Sequence, residues 1–171
     1  MPLTKLERTT HVLLSIVCVA GLAAIARQQL FPRVPTRARP DLLGKRLAIP
    51  GLDLPKNSGL ALVVAARSDC HFCEESLPFY HEVDRRRKIG RTPIPLFFVT
   101  TEPVERLRTF VEGADISPDG IVSVDFKAMG ITGTPTLAVV DSAGIIKRAF
   151  YGRLTEVDVR DLLGIVEKAS L

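Results

Sequence analysis

The chain has 171 residues, enough for one domain with its own core and an additional segment, and 46% of them are hydrophobic. Its net charge of +4 is unevenly distributed: residues 1–46 carry eight Lys/Arg and two Asp/Glu, whereas residues 47–171 carry fifteen and seventeen. The part that we expect to fold is therefore slightly acidic, which argues against a nucleic-acid-binding function. Three cysteines are too few for a fold that disulfides hold together.

The N-terminal part contains a long apolar run. Residues 9–26 carry no Asp, Glu, Lys or Arg, and as a helix they would span about 27 Å, so we predict a transmembrane anchor after a short tail at residues 1–8. The small residues at 24–26 also fit a signal-peptide cleavage site, which makes secretion after cleavage the alternative. Residues 27–40 are rich in proline and arginine and predict a linker.

From residue 41 to residue 171 the sequence alternates between strand and helix signals. Short apolar runs predict strands, a 3–4 residue apolar spacing predicts helices, and the turn at 142–144 predicts a closing hairpin before a last helix. The predicted strands are 60–66, 94–100, 121–125, 136–141 and 145–152, and the predicted helices run from the cysteines to 85–88, over 104–111 and from Thr155 onwards. This order indicates one α/β domain with a mixed sheet.

Two cysteines with two residues between them, Cys70 and Cys73, directly follow the first predicted strand. We expect Cys70 at a helix N-terminus, where free backbone N–H groups stabilise a thiolate and lower its pKa. The spacing lets Cys73, one turn further on, reach the Cys70 sulfur. Cys70 is therefore the candidate nucleophile of thiol–disulfide exchange, and Cys73 is the candidate resolving thiol.

Three motifs in this order resemble the thioredoxin superfamily. They are the Cys-His-Phe-Cys sequence with Pro78 five residues after its second cysteine, the segment "GITGTPTLAVVDSAG" around Thr134 and Pro135, and a closing strand that ends at Gly152. The resemblance implies a thioredoxin-like three-layer α/β/α fold. It further implies that Pro78 kinks the active-site helix and that Pro135, in a cis peptide bond, faces the dithiol and shapes the substrate-docking edge with Thr134.

Together with the predicted anchor, these motifs resemble the TlpA/ResA group of membrane-tethered disulfide reductases. That group implies a single-pass protein of a bacterial-type cytoplasmic membrane with its domain on the periplasmic side, although the arginines after residue 26 would by themselves favour the opposite orientation. It implies protein thiols and disulfides as substrates, an unidentified electron donor, and no cofactor besides the Cys70–Cys73 disulfide.

The sequence departs from thioredoxin near the dithiol. Ser68 and Asp69 stand where thioredoxins commonly carry an aromatic residue, and Val64 stands where they carry a buried acid. His71 and Phe72 lie between the cysteines, and we expect them to tune the dithiol or to contact substrates.

Two alternatives from other classes stay open. One is a copper chaperone that binds Cu(I) through the two cysteines and a histidine. The other is a tethered interaction module whose disulfide is only a local link. A structural zinc site is not predicted, because one such cysteine pair supplies two of the four ligands that zinc needs.

Overall fold

The computed structural model describes residues 37–38, 40–52, 54, 59–89 and 94–169. The chain divides into two units, Met1–Val34 and Pro35–Leu171, and every described residue belongs to the second. The predicted tail, the anchor and most of the linker lie outside the described residues and stay predictions. None of the helices in the described ranges is long and apolar enough to cross a membrane.

A six-stranded mixed sheet forms the centre of the domain, in the order β1-β6-β5-β2-β3-β4. Its strands are β1 (Arg37–Ala38), β2 (Leu60–Ala65), β3 (Leu96–Thr100), β4 (Gly120–Ser123), β5 (Thr136–Asp141) and β6 (Ile146–Tyr151). Strands β2, β3 and β4 pair in parallel, whereas β5 pairs antiparallel with both β2 and β6. Strand β1 pairs antiparallel with the outer edge of β6. The predicted mixed α/β sheet is therefore confirmed, and the bounds of β2 to β6 lie within two residues of those expected. Strand β1 was not predicted: it falls at the end of the segment expected to be a linker.

In the part of the chain that the structure describes, four α-helices accompany these strands: α1 (His71–Glu75), α2 (Leu77–Arg87), α3 (Val104–Glu112) and α4 (Glu156–Ala169). A 3-10 turn at Pro40–Leu42 precedes β2. The hydroxyl of Thr155 accepts a hydrogen bond from the backbone N–H of Asp158, and Asp158 accepts one from the backbone N–H of Thr155. This reciprocal cap starts α4 where the sequence predicts a helix to begin.

One face of the sheet is covered by helices. Apolar side chains of β2 and β3 pack there against Tyr80 and Val83 of α2, Leu107 of α3 and Leu162 of α4. Both parallel crossovers contribute to this layer, because the chain steps from β2 to β3 to β4 in one direction and right-handed connections then lie on the same side. Cys73 belongs to this core.

The opposite face differs from the predicted three-layer arrangement. Among the described residues, no α-helix contributes to the apolar cluster on this side of the sheet. Leu42, Leu47 and Ile49, from the segment before β2, and Ile131, from the loop before β5, cover it instead. The reason is the crossover direction described above, which leaves this face to irregular chain.

The basic cluster at the C-terminal end of α2 contains one buried arginine. The Arg87 guanidinium is 2% exposed and pairs with Asp84 at 2.7 Å and with Asp119 at 2.5 Å. It also donates to the backbone carbonyls of Ile94 and Ser117. Arg87 thereby ties α2 to the segments that precede β3 and β4.

Candidate functional site

Cys70 lies at the start of α1, directly after the loop that follows β2. Its backbone is extended, and its carbonyl accepts hydrogen bonds from the N–H groups of Cys73 and Glu74. Its sulfur accepts a hydrogen bond from the Cys73 N–H at 3.2 Å. The nucleophile candidate is therefore at a helix N-terminus, as the spacing predicts, with its side chain partly exposed.

Cys73 lies one turn further on and is completely buried. Burial in the apolar core, followed by the interaction with Cys70, raises the pKa of its thiol to about 12. A backbone hydrogen bond from Arg67 and the side chain of Thr134 act in the opposite direction on this pKa. The two sulfurs are not bonded to each other in this structure.

The Thr134–Pro135 peptide bond is cis, as the resemblance implies. The Cys70 thiol donates to the Thr134 carbonyl over 3.5 Å, which places this loop against the dithiol. The loop is anchored on both sides: Gly152 N–H donates to the Pro135 carbonyl at 2.8 Å, and the Thr136 hydroxyl donates to the Gly133 carbonyl at 2.7 Å. Residues 64 positions apart in the chain thus form one surface around the exposed sulfur.

Gly133 makes the closest approach in this loop. A Cβ atom on Gly133 would lie 2.5 Å from the Tyr151 hydroxyl and 3.0 Å from the nearest ring carbon. Real contacts do not come this close, so any larger residue would displace either the tyrosine or the loop that carries Thr134 and Pro135.

His71 and Phe72 face outwards from α1. The His71 side chain is 75% exposed, and its Nε2 lies 3.4 Å from a carboxylate oxygen of Glu75. The other Glu75 oxygen lies 3.3 Å from Arg153, so this row of charges joins α1 to the segment after β6. Phe72 is 46% exposed, an unusual value for a phenylalanine, and is available for contact with a partner.

Pro78 divides the predicted active-site helix in two. It lies in the first turn of α2, and α1 ends at Glu75. Because proline has no N–H, it cannot donate to the carbonyl four residues earlier, and the ladder breaks at Ser76. The Ser76 hydroxyl donates to the Phe72 carbonyl at 2.7 Å, which closes the end of α1.

Two polar interactions in the loop before Cys70 were not foreseen from the sequence. The two carboxylate oxygens of Glu102, a residue that is 8% exposed, accept hydrogen bonds from the N–H and the hydroxyl of Ser68. Arg67 pairs with Asp69 through two hydrogen bonds and holds the pKa of Asp69 below its usual range. The sequence contained one signal for the contact between Glu102 and Ser68. The two residues follow neighbouring parallel strands, and the carboxyl ends of such strands meet at one edge of the sheet.

Val64 is fully buried in the helix-covered core, in the same cluster as Cys73. An apolar side chain therefore occupies the position at which thioredoxins carry a buried acid. The phenol of Tyr80 is buried nearby, and its pKa is raised by burial and then by the neighbouring Cys73.

An open groove of about 660 Å³ adjoins the Thr134 loop. Its walls come from the loop before Cys70, the end of β3 and the segment between β4 and β5, and they are lined by Arg67, Thr101, Asp125, Phe126, Lys127, Gly130, Ile131, Thr132, Gly133 and Thr134. Within the described ranges, no group of three or more His, Cys, Asp or Glu side chains is placed to hold a metal ion.

No protein-family model and no curated protein matches the chain. Solved structures do match. A thiol-disulfide isomerase from Corynebacterium glutamicum is 18% identical, with 80% of this chain and 97% of that one covered and a TM-score of 0.54. StoA from Bacillus subtilis is also 18% identical, covering 72% and 97%, with a TM-score of 0.51.

A secreted disulfide oxidoreductase of Mycobacterium tuberculosis is 15% identical, covering 66% and 84%, with a TM-score of 0.51. Similarity at such low identity establishes the fold, and the thioredoxin-like α/β fold predicted from the motifs is thereby confirmed, apart from the helical layer expected on the second face of the sheet.

Proposed function

We propose that the protein is a thiol–disulfide oxidoreductase that exchanges disulfides with protein partners through Cys70 and Cys73. The observation that carries this proposal is the placement of the two sulfurs. One is partly exposed beside the Thr134–Pro135 loop, and the other is buried one helical turn behind it. The similar solved structures described as thiol-disulfide isomerases or oxidoreductases support the same chemistry.

The reaction proceeds in two displacements. The Cys70 thiolate attacks one sulfur of the partner's disulfide, a mixed disulfide forms, and the partner's other sulfur leaves as a thiolate that takes a proton from water. Cys73 then loses its proton to solvent and attacks the Cys70 sulfur. The partner's remaining sulfur leaves, so the partner is reduced and the Cys70–Cys73 pair is oxidised. An external dithiol must return two electrons before the next turnover.

The redox potential of the Cys70–Cys73 pair decides the direction of net electron flow, and net reduction of the partner is the direction that the resemblance to the TlpA/ResA group implies. The first experiment is an equilibrium redox titration of the full-length chain against glutathione or dithiothreitol buffers. A reversible couple near about −270 mV, like that of thioredoxin, supports a reductase, and one near about −120 mV would assign an oxidant instead. A pair that never titrates reversibly contradicts the proposal.

The separate roles of Cys70 and Cys73 are tested by trapping the mixed disulfide with the substrate. With Cys73→Ser the second displacement is blocked, and we expect a mixed disulfide between Cys70 and the substrate to accumulate and to be released by dithiothreitol. With Cys70→Ser no adduct should form. An adduct on Cys73 in the Cys70→Ser variant would reverse the assignment.

The copper-chaperone alternative is decided by a Cu(I) titration of the reduced protein. The histidine nearest to the cysteines, His71, turns towards Glu75, which gives this alternative no additional support. Tight binding of one Cu(I) per chain together with slow disulfide exchange would favour the chaperone. Slow disulfide exchange without Cu(I) binding would favour the other alternative, a tethered interaction module whose disulfide is only a local link.

The predicted anchor adds a location to the proposal: a domain tethered to a bacterial-type cytoplasmic membrane on its periplasmic side. An engineered single cysteine on an exposed position of the domain would be labelled in intact cells by a membrane-impermeant maleimide. Protection until lysis contradicts the periplasmic assignment. Recovery of a shortened chain in the soluble fraction would indicate cleavage after residue 26 and a secreted protein.

A further inference from the structure

The open groove of about 660 Å³ lies beside the exposed sulfur of the dithiol. Its lining includes Thr134, whose carbonyl accepts a hydrogen bond from the Cys70 thiol over 3.5 Å. The volume of the groove falls in the range of about 300–1,000 Å³ that is typical of ligand sites. A partner whose sulfur is attacked by Cys70 therefore brings the residues next to its own cysteine to this groove.

One wall of the groove is a tight turn in the segment between β4 and β5. Asp125 accepts a hydrogen bond from the N–H of Lys127 at 2.9 Å, and the Phe126 carbonyl accepts one from the N–H of Ile131 at 2.8 Å. Ile131 is buried, and Phe126 packs against the same apolar cluster on the second face of the sheet. These contacts fix the wall before a partner arrives, so that binding has little conformational entropy to remove there.

The charges around the groove compensate one another. Arg67 donates two hydrogen bonds to the carboxylate of Asp69, at 2.9 and 2.6 Å. Asp125 and Lys127 lie two positions apart in the same turn and carry opposite charges. The lining and Asp69 together therefore have no net charge that would attract an acidic or a basic segment.

We infer that this groove selects among partners: it takes an extended segment of the partner protein and seats an apolar side chain, a few residues from the reacting cysteine, against Phe126 and Ile131. This inference rests on the proposed exchange activity. An apolar side chain gains by leaving water, whereas a charged one would lose hydration and find no net counter-charge. Cys70 and Cys73 carry out the exchange, and the segment from 125 to 131 decides which partners react fastest.

The test measures the reaction of the reduced protein with short peptides. Each peptide carries one cysteine in a mixed disulfide with thionitrobenzoate, and Leu, Ala, Asp or Lys at one of the three positions on either side of that cysteine. The full-length chain carrying Cys18→Ser is used, so that only Cys70 and Cys73 react. The dithiol gives two electrons to the mixed disulfide: the Cys70–Cys73 bond forms, the bond between peptide and thionitrobenzoate breaks, and both thiols are released. Absorbance of the released thionitrobenzoate gives the second-order rate constant.

The central variant is Thr101→Phe. Thr101 is exposed and lines the groove at the end of β3, so a phenylalanine there takes up part of the volume. At the best position we expect the wild-type chain to react about tenfold faster with the leucine peptide than with the alanine peptide, because the groove buries the larger side chain. Thr101→Phe should reduce this ratio to about twofold or less. The matched control is Thr109→Phe, at an exposed threonine of α3 outside the groove, which should keep the wild-type ratio.

The outcomes separate this inference from the proposed function. Equal rates for the leucine and alanine peptides at every position overturn the inference, and so does a wild-type ratio in Thr101→Phe. A faster reaction of an aspartate peptide that Lys127→Gln abolishes would assign an acidic partner segment instead. If Thr101→Phe does not fold, Thr132→Phe in the same lining decides in the same way. If the wild-type chain releases thionitrobenzoate from none of the peptides, the exchange activity itself fails, whatever the variants do.

Discussion

The protonation of Cys73 depends directly on the fold. Its pKa is about 12 in the folded protein, because the apolar core around it disfavours the thiolate. In the unfolded chain a cysteine loses its proton at about pH 8.5. Between these values the unfolded chain binds fewer protons than the folded one, so the fold loses stability as the pH rises.

We therefore predict that the reduced protein becomes less stable above about pH 8.5, with a slope of up to about 1.4 kcal/mol per pH unit from Cys73. Urea unfolding of the reduced protein between pH 7 and 10 measures this slope. Cys73→Ser should lose that part of the pH dependence, since serine does not titrate. Tyr80 also has a raised pKa and adds its own loss only above about pH 10. A wild-type slope equal to that of Cys73→Ser would contradict the prediction.

Gly133 lies in the Thr134–Pro135 loop and packs closely against the side chain of Tyr151. We predict that Gly133→Ala slows disulfide exchange about tenfold or more, because the new methyl group displaces the loop from Tyr151. Adding Tyr151→Phe removes the atom at 2.5 Å and should restore part of the rate. The control is Gly164→Ala in α4, where nothing lies within 4 Å. Equal rates for Gly133→Ala and Gly164→Ala would contradict this account.

At this scale the sequence identified the two candidate cysteines and the proline that faces them, and it missed the residues that hold them. Cys70, Cys73 and Pro135 stand in recognisable motifs, because their chemistry requires particular residue types at fixed spacings. Glu102 and Tyr151 stand in no motif. Their importance arises from contacts with Ser68 and Gly133, and nothing local in the sequence marks those pairs.

The C-terminal end of helix α2 contains a network of ion pairs and hydrogen bonds around the buried Arg87. Arg87 there joins two carboxylates, Asp84 and Asp119, and both carboxylates also accept backbone N–H bonds, from Ser117 and Leu96 respectively. These bonds position the strand that follows and the loop that leads into β4. The C-terminal end of α2 therefore holds the segments that lead into the parallel strands β3 and β4.

We predict that Arg87→Met destabilises the protein by about 3–5 kcal/mol, because it leaves the Ile94 and Ser117 carbonyls without their donor and removes one of the two cations that pair with the buried Asp84 carboxylate. Arg85→Met, two residues earlier, removes an exposed pair with Glu82 and should cost much less, because water screens that pair. Urea unfolding of both variants measures the difference. Similar costs at the two positions would show that the Arg87 network contributes little to stability.

The order and type of the elements were predictable because each depends on short-range patterns. Buried strands such as β2 are short apolar runs, and α3 shows the helical spacing of Leu107 and Val111. The break at Ser76 was less predictable. The sequence indicated a kink at Pro78, but only the backbone shows that the kink separates two helices and closes the first with a serine bond.

At the scale of the whole molecule, the two faces of the sheet are covered unequally. Helices cover the face that contains Cys73, whereas the face that contains Val63 and Val140 depends on the irregular segment around Leu47 and Ile49. That segment has few regular backbone bonds of its own and is held by its contacts with the sheet, including the Leu47 N–H bond to the Gly144 carbonyl.

We predict that a fragment starting at residue 35 unfolds cooperatively, whereas a fragment starting at residue 59 does not fold, because the second apolar face would then be open to water. Urea unfolding and binding of the dye ANS compare the two fragments. Leu47→Ala in the longer fragment should cost about 2–4 kcal/mol and serves as the graded control. A stable, dye-free fragment from residue 59 would show that this cover is dispensable.

The sequence by itself determined the α/β order, the position of the dithiol at the start of a helix and the loop that faces it. Local periodicity and turn residues contain the first two, whereas the facing loop was implied by the resemblance to the thioredoxin superfamily. Only the tertiary structure decided that both crossover helices share one face, that Glu102 holds the turn before Cys70 and that Tyr151 limits the space at Gly133. Those features join residues far apart in the chain, 34 positions in the case of Ser68 and Glu102, and such pairings exist only once the strands have aligned.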